Sequence, residues 1–233
     1  MGRISETIKV LIIINVIFFI GTLLNQDLAY GLFSLFYYEN PNFQFWQPLT
    51  HMFMHGGLWH ILFNMYALWA FGTPLEMRWG RSKFLFFYFS AGLGAALVHT
   101  IANYYNFQEG VDTLIAAGAT QADITEFLSN PANGVYKMYQ AYHVPAVGAS
   151  GAIYGILVAF AMMFPNIELM LIFLPIPIKA KYFVPVIILG DLIFGITGSP
   201  LGIAHWAHIG GALIGFIMAW YWKKNSFDNT RIY

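Results

Sequence analysis

The stretch Gly148-Ala149-Ser150-Gly151-Ala152-Ile153-Tyr154-Gly155 places one hydroxyl among small residues, at the start of an apolar run that ends near Phe164. If a helix begins here, its first backbone N–H groups lack partners within the helix and can stabilise negative charge beside Ser150. A serine in that setting can be a nucleophile with an oxyanion site next to it. The pattern also has a structural reading, because small residues spaced four apart let membrane helices pack closely.

The composition of the whole chain indicates a membrane protein. Of 233 residues, 58% are hydrophobic and 9% are charged, against about 25% charged in soluble domains. Eleven basic and eleven acidic residues leave no net charge, so no basic surplus suggests nucleic-acid binding. The absence of cysteine excludes disulfides, thiol catalysis and zinc–thiolate sites. The first apolar segment lacks the cleavage site of a signal peptide, so we expect it to be retained as a span.

The apolar segments predict an all-α membrane protein with six transmembrane helices, organised as one domain over residues 1–233. A spanning helix needs about 20 mostly apolar residues. The fourth segment is shorter, which is tolerable if one of its ends lies in a water-filled cavity. The six predicted spans are residues 8–24, 58–77, 84–102, 150–164, 182–196 and 204–222.

The segments between the predicted spans differ in character. Residues 25–57 are rich in aromatic side chains and predict a loop in the membrane interface. Residues 103–145 are mostly polar and predict an external insertion, in which Thr120-Gln121-Ala122-Asp123 resembles a capping box that opens a short helix. We expect Asn130-Pro131 to end that helix. Residues 165–181 carry three prolines and predict an irregular connection.

The distribution of lysine and arginine predicts the orientation. With the N-terminus in the cytoplasm and six spans, ten of the eleven basic residues fall inside and Lys137 alone falls outside, as the positive-inside rule requires. We therefore expect a multi-pass protein of a bacterial inner membrane, with both termini in the cytoplasm.

This orientation places polar residues at the outer ends of three separate spans. Unpaired polar groups are costly within a bilayer and usually face a cavity or a partner. Their shared level predicts a single site entered from outside, although hydrogen bonds between helices would also account for them. A zinc site is a further reading of the first three histidines, but no carboxylate lies near them in sequence and we expect no metal. The residues are His51, His55, His60, Asn64, Ser150, His205 and His208.

Two ionisable residues of the last two spans are candidates for a role beside Ser150. His208 precedes Ile209-Gly210-Gly211, and the glycines allow its helix to cross another closely. His208 is then a candidate general base for Ser150, or a packing histidine. Asp191 lies near the middle of the fifth span with no partner that the sequence identifies. A third catalytic member, a structural hydrogen bond and a protonated side chain all remain open for it.

Three motifs, in this order and at this membrane level, resemble the rhomboid family of intramembrane serine proteases. The resemblance covers about residues 45–222, and Glu76-Met77-Arg78 also resembles the acidic–basic pair of that family after the second span. Many members have Trp-Arg where this chain has Trp46-Gln47, so we do not expect an arginine to anchor the first loop. The motifs are His55 with His60-Ile61-Leu62-Phe63-Asn64, Gly148-Ala149-Ser150-Gly151 and Ala207-His208-Ile209-Gly210-Gly211.

The resemblance implies a six-helix, rhomboid-like bundle whose short central helix carries the serine, a Ser150–His208 dyad and no cofactor. It also implies an oxyanion hole formed by the side chains of His60 and Asn64 and by the Ser150 N–H. Supporting roles then fall to Gly148, Gly151, Tyr154 and His55, with Tyr154 packing on the imidazole of His208.

The implied function is that of an intramembrane serine endopeptidase that cleaves transmembrane protein substrates in the lipid bilayer, near its outer side. The alternative is a catalytically inactive, rhomboid-like protein that binds membrane proteins. Inactive relatives lack one or both dyad residues, and this chain has both Ser150 and His208.

Overall fold

The structure, a computed structural model, describes residues 3–129, 136–171, 174–198 and 203–225. Within these ranges the predicted all-α fold is confirmed only in part, since the protein is mostly helical, with eleven α-helices, but also contains one antiparallel pair of strands. The elements are α1 Glu6–Leu24, α2 Gln26–Phe33, α3 Gln47–Thr50, α4 Leu58–Ala67, α5 Thr73–Trp79, α6 Arg81–Ala116, α7 Gln121–Ser129, α8 Tyr136–His143, α9 Ser150–Met163, β1 Glu168–Leu171, β2 Leu174–Lys179, α10 Ala180–Thr197 and α11 His205–Asn225.

Several helices are suited to a bilayer. Among the described residues, α1, α6 and α10 are long and apolar enough to cross a membrane, and α9 is apolar but has only 14 residues. A π-helical turn at Leu68–Gly72 joins α4 to α5, so one helical run covers residues 58–79. Pro74 lies just after this turn, and as a proline inside the run it cannot donate a backbone hydrogen bond.

Small residues allow α9 to pack between α6 and α11. A Cβ at Gly151 would lie 2.4 Å from the Cβ of Ala95 on α6, and one at Gly155 would lie 2.9 Å from the carbonyl oxygen of Gly211 on α11. Most of α9 is buried as a result. This close packing therefore holds Ser150, the first residue of α9, against two neighbouring helices.

The helix that contains the third predicted span does not end at residue 102, because α6 continues to Ala116. Its extension presents an apolar face to α8, where Phe107 and Met138 are buried in one cluster and Gly110 lies against the side chain of Met138. The insertion that we predicted for residues 103–145 is thus helical in its described parts and has a small apolar cluster of its own. The composition of residues 103–145 is mostly polar because these helices expose polar faces, so composition alone did not indicate how much of the insertion is helical.

The capping box that we predicted before α7 is confirmed. Thr120 N–H donates to Asp123 Oδ2 at 2.7 Å, and Asp123 N–H donates to Thr120 Oγ1 at 3.3 Å. The hydrogen bonds from the Thr120 side chain and backbone lower the pKa of the Asp123 carboxyl. The predicted stop at Asn130-Pro131 lies outside the described residues.

The prediction of an irregular connection over residues 165–181 is also wrong. Strands β1 and β2 pair there in an antiparallel hairpin, with Glu168 opposite Lys179 and Leu169 opposite Ile178. The prolines suggested an irregular loop. However, both strands of a two-stranded sheet are edge strands, and edge strands tolerate proline.

The aromatic segment 25–57 contains two short helices, α2 and α3, and is anchored by a neutral amide. Gln47 is fully buried. Its Nε2 donates to the carbonyl oxygens of Gly31 at 3.1 Å and Asn42 at 2.8 Å, and its Oε1 accepts from the N–H of Phe36 at 3.3 Å. Three hydrogen bonds from one side chain therefore fix the first loop without an arginine.

Candidate active site

Ser150 is the first residue of α9, and the backbone before it is held in a special conformation. Gly148 has a φ of 125°, a region that favours glycine. Its N–H donates to the carbonyl oxygen of His51 at 2.9 Å. Two residues earlier, Ala146 exchanges both backbone hydrogen bonds with Leu35. Backbone hydrogen bonds to Leu35 and His51 thus fix the turn that presents the Ser150 hydroxyl.

The hydroxyl of Ser150 faces the imidazole of His208, on α11. Ser150 Oγ and His208 Nε2 are 2.9 Å apart. The ring of Tyr154, one helical turn after Ser150, stacks on that of His208 with 4.2 Å between centroids and 11° between planes. A stacked ring and a hydrogen bond together restrict the orientation of the imidazole, so that Nε2 points at the hydroxyl.

His60 lies on the other side of the same turn. Its Nδ1 accepts a hydrogen bond from the N–H of Gly56 at 3.3 Å, and in a neutral imidazole the second nitrogen then carries the proton. That nitrogen, Nε2, lies 2.8 Å from the point that a Cβ on Gly148 would occupy. His60 therefore offers an N–H donor close to the Ser150 turn, in space that any larger residue at 148 would fill.

Asn64, one turn further along α4, is buried. Its Nδ2 donates to the carbonyl oxygen of His60 at 3.0 Å. An amide nitrogen carries two hydrogens, so one remains for a ligand in the cavity. The two predicted oxyanion donors are therefore adjacent on α4, on the helical face toward α9.

The histidines of the possible zinc site, His51, His55 and His60, each hydrogen-bond a backbone group through Nδ1. Nδ1 of His51 bonds Gln47 O at 3.1 Å, and Nδ1 of His55 bonds Phe53 O at 3.3 Å. The buried ring of His55 packs edge-on against that of His60, with 5.0 Å between centroids. The contact with His55 thus restricts the orientation of the His60 ring.

Asp191 has partners that sequence reasoning did not identify. Its Oδ1 lies 3.0 Å from Nδ1 of His208 and 2.5 Å from Nδ1 of His205. Within the described part of the chain, these three side chains are the group whose ligand atoms come together as a metal would require, within 4.8 Å of one another. The same atoms hydrogen-bond to each other, so a metal would have to displace both imidazole protons.

A cavity of about 1810 Å³ extends from Ser150 between α4 and α10. Two further polar residues of this cavity, His99 and Asn103 on α6, were not singled out from the sequence. They hydrogen-bond to each other at 3.1 Å, and a histidine within an apolar helix was the signal available. The lining also includes several aromatic side chains, among them Trp59, Phe63, Trp69, Phe71, Phe183 and Phe194. An apolar groove that ends in a hydroxyl, a base and N–H donors is suited to acyl transfer on an apolar peptide.

Comparison with known proteins finds one family. The profile of the Rhomboid domain family matches residues 42–225. Rhomboid protein 1, mitochondrial, of Saccharomyces cerevisiae is 27% identical over 175 residues, which cover 74% of this chain and 40% of that protein. The Presenilin-associated rhomboid-like protein, mitochondrial, of Homo sapiens is 30% identical over 174 residues, or 74% of this chain and 36% of that protein. Rhomboid protease AarA of Providencia stuartii is 28% identical over 184 residues, which cover 75% of this chain and 54% of that protein. The chain thus spans between about a third and about half the length of these relatives.

Proposed function

This chain belongs to the rhomboid family, and on that premise we propose that it is an intramembrane serine endopeptidase in which Ser150 is the nucleophile and His208 the general base. The observation that carries the proposal is the 2.9 Å distance between Ser150 Oγ and His208 Nε2. That distance is within the range that a nucleophile and its base require. An inactive binding protein would not need this contact.

The proposed reaction is the hydrolysis of a peptide bond in two acyl transfers. Ser150 Oγ attacks the carbonyl carbon while His208 Nε2 takes the hydroxyl proton, and a tetrahedral oxyanion forms. His208 then gives that proton to the leaving amine as the C–N bond breaks, which leaves an acyl ester on Ser150. Water attacks the ester with His208 again accepting the proton. The ester C–O bond then breaks, and His208 returns the proton to Ser150 Oγ.

We assign the oxyanion hole to the side chains of His60 and Asn64 and to the backbone N–H of Ser150. The Ser150 N–H is at the start of a helix, where backbone donors lack helical partners. His60 is supported by His55 on one side, and Gly148 leaves the space into which its Nε2 points. A single donor of this kind contributes about 10²–10³-fold in kcat.

The proposed membrane arrangement is one six-span domain in which α9 is the short central helix. In addition to α1, α6 and α10, the spans are the run 58–79, α9 and α11. This order places Lys83, Lys179 and the C-terminal residues on one side, which we propose is the cytoplasm of a bacterium. Reporter fusions after Lys83 and after Lys179 should then report cytoplasm, and a fusion at Gly118 should report the outer side. A cytoplasmic signal at Gly118 would contradict the topology.

The substrates that we propose are transmembrane proteins, which the aromatic cavity would receive from the bilayer. The reaction that we propose needs no cofactor, because Ser150 and His208 carry all the proton transfers. Relatives of this chain include both a bacterial protease and mitochondrial proteins by name, so the compartment needs its own test. Localisation of the full chain in its native cell would provide one.

The experiment that tests the function compares purified wild type with Ser150→Ala on a model transmembrane substrate, together with labelling by a fluorophosphonate. We expect the wild type to cleave and to be labelled, and Ser150→Ala to do neither while it melts near the wild-type temperature. Ser90→Ala, which removes a different hydroxyl from α6, is the matched control and should keep both properties. A folded wild type that neither cleaves nor is labelled would favour the inactive, membrane-protein-binding alternative.

A further inference from the structure

We propose that Asp191 is a positioning residue, which holds the His208 imidazole in the orientation and the tautomer that activate Ser150. This proposal rests on the proposed function and adds a third residue to the pair. The geometry that carries it is a continuous chain of contacts across three helices. Asp191 Oδ1 on α10 lies 3.0 Å from His208 Nδ1 on α11, and His208 Nε2 lies 2.9 Å from Ser150 Oγ on α9.

The tautomer of His208 is the first property that this contact determines. To accept the Ser150 proton, Nε2 must be unprotonated, so the single proton of the neutral ring must be on Nδ1. An N–H in a buried site needs an acceptor. An ionised carboxylate has acceptors and no donor, so it bonds the nitrogen that carries the proton. Asp191 therefore favours the tautomer in which Nε2 is the base.

The charge that forms during the reaction is the second property. When His208 takes the proton from Ser150 it becomes an imidazolium, and a carboxylate at 3.0 Å stabilises that cation. Asp191 need not accept the proton itself to have this effect. The carboxylate would therefore act on the chemical step rather than on substrate binding.

The position of Asp191 in α10 indicates that its burial is specific. Side chains along α10 are mostly exposed, and the helix buries only Ala180, Val184 and Asp191 among its described residues. An ionisable group in an apolar helix is costly unless it finds partners. Two imidazoles, those of His205 and His208, lie within hydrogen-bond distance of Asp191, and one of them contacts the Ser150 hydroxyl.

A purely structural role is the competing explanation, since the shorter contact of Asp191 is with His205, at 2.5 Å. In that case the carboxylate would only tether α10 to α11, and removing either partner of the tether should have the same effect. Positioning makes a different prediction. The loss of Asp191 would then slow the chemistry, whereas the loss of His205 would leave Asp191 free to bond His208.

The test measures kcat, KM and the rate of fluorophosphonate labelling for Asp191→Leu, Asp191→Asn and His205→Ala. For Asp191→Leu we expect kcat and the labelling rate to fall at least about 100-fold, as for the loss of a general base's orienting partner, with KM within about threefold. Asp191→Asn keeps an oxygen for Nδ1–H but loses the charge, and should fall between Asp191→Leu and wild type. Asp191→Glu should recover part of the loss, because it restores the carboxylate.

The control and the variants separate this proposal from the proposed function. His205→Ala should lower kcat clearly less than Asp191→Leu does, because Asp191 then keeps its contact with His208. Equal losses in His205→Ala and Asp191→Leu, or wild-type kcat in a folded Asp191→Leu, would overturn the positioning role while cleavage by wild type still supports the protease. If Asp191→Leu fails to fold, a wild-type labelling rate in folded Asp191→Asn would overturn it equally. A wild type without cleavage or labelling would overturn both proposals.

Discussion

The carbonyl oxygen of Gly151 lies 1.8 Å from the point that a Cβ on Gly211 would occupy. Helices α9 and α11 therefore touch backbone to backbone where they cross. Ser150 immediately precedes Gly151, and His208 lies one turn before Gly211, so this crossing determines how close the hydroxyl and the imidazole come. The structural and the functional readings of the glycine pattern are then compatible, because close packing is what brings the two side chains together.

Gly211→Ala should destabilise the protein and separate the pair. The new methyl group would overlap the backbone of Gly151, which cannot move aside as the end of a flexible side chain can. Overpacking of a core typically costs about 1–3 kcal/mol, so we expect a clearly lower melting temperature in detergent and slower fluorophosphonate labelling. Gly21→Ala is the control, because nothing lies within 4 Å of a Cβ there. Equal melting temperatures for Gly211→Ala and wild type would contradict the close crossing.

Gly148→Ala should impair activity more than stability. The φ of 125° strains any other residue, and a Cβ would lie 2.8 Å from Nε2 of His60, the proposed oxyanion donor. We expect cleavage to fall at least about tenfold, since the loss of one donor alone costs about 10²–10³-fold. Gly118→Ala separates the two effects, because Gly118 also has a positive φ but open space around it. It should remain active, and equal losses in both variants would point to strain alone.

The sequence predicted the apolar helices because hydrophobic runs are local signals, whereas the shared membrane level of the polar residues stays a prediction. It did not identify the partners of Asp191, since hydrogen bonds to His205 and His208 depend on how α10 and α11 pack against each other. The length of α6 was missed for a similar reason. The last turns of α6 have polar residues on one side, and on the other side Phe107 packs with Met138, which is distant in sequence. The catalytic roles of the site residues stay predictions until they are tested.

Locking α10 to α11 should slow the cleavage of large substrates but not reaction with small ones. We expect α10 to move when a transmembrane segment enters the cavity, because the helix is mostly exposed along its length. A Cβ at Gly195 would lie 3.6 Å from that of His205, within the range of about 3.5–4.5 Å found in disulfides. In the Gly195→Cys/His205→Cys double variant, oxidation should reduce turnover of a transmembrane substrate reversibly, while fluorophosphonate labelling of Ser150 continues.

The lock needs two controls. Because the chain has no native cysteine, no other disulfide can form within it. The single His205→Cys variant shows what the loss of the imidazole does by itself, and the reduced double variant shows the effect of both substitutions without the bond. Unchanged turnover in fully oxidised protein would show that this end of α10 need not move for substrate to enter.

The last prediction separates the proposed dyad from the proposed oxyanion hole. If Ser150 and His208 act as one unit, either alanine substitution should abolish cleavage, and the double variant should be no worse, because such losses are grossly non-additive. Asn64→Ala leaves the nucleophile and base in place but removes one donor, so we expect kcat to fall by about 10²–10³-fold while remaining measurable. Melting curves for each variant would show whether the loss is structural, since Asn64 also donates to the carbonyl oxygen of His60. Normal kcat in a folded Asn64→Ala would contradict the role of Asn64 in the oxyanion hole. Cleavage by Ser150→Ala would contradict the proposed serine protease mechanism as a whole.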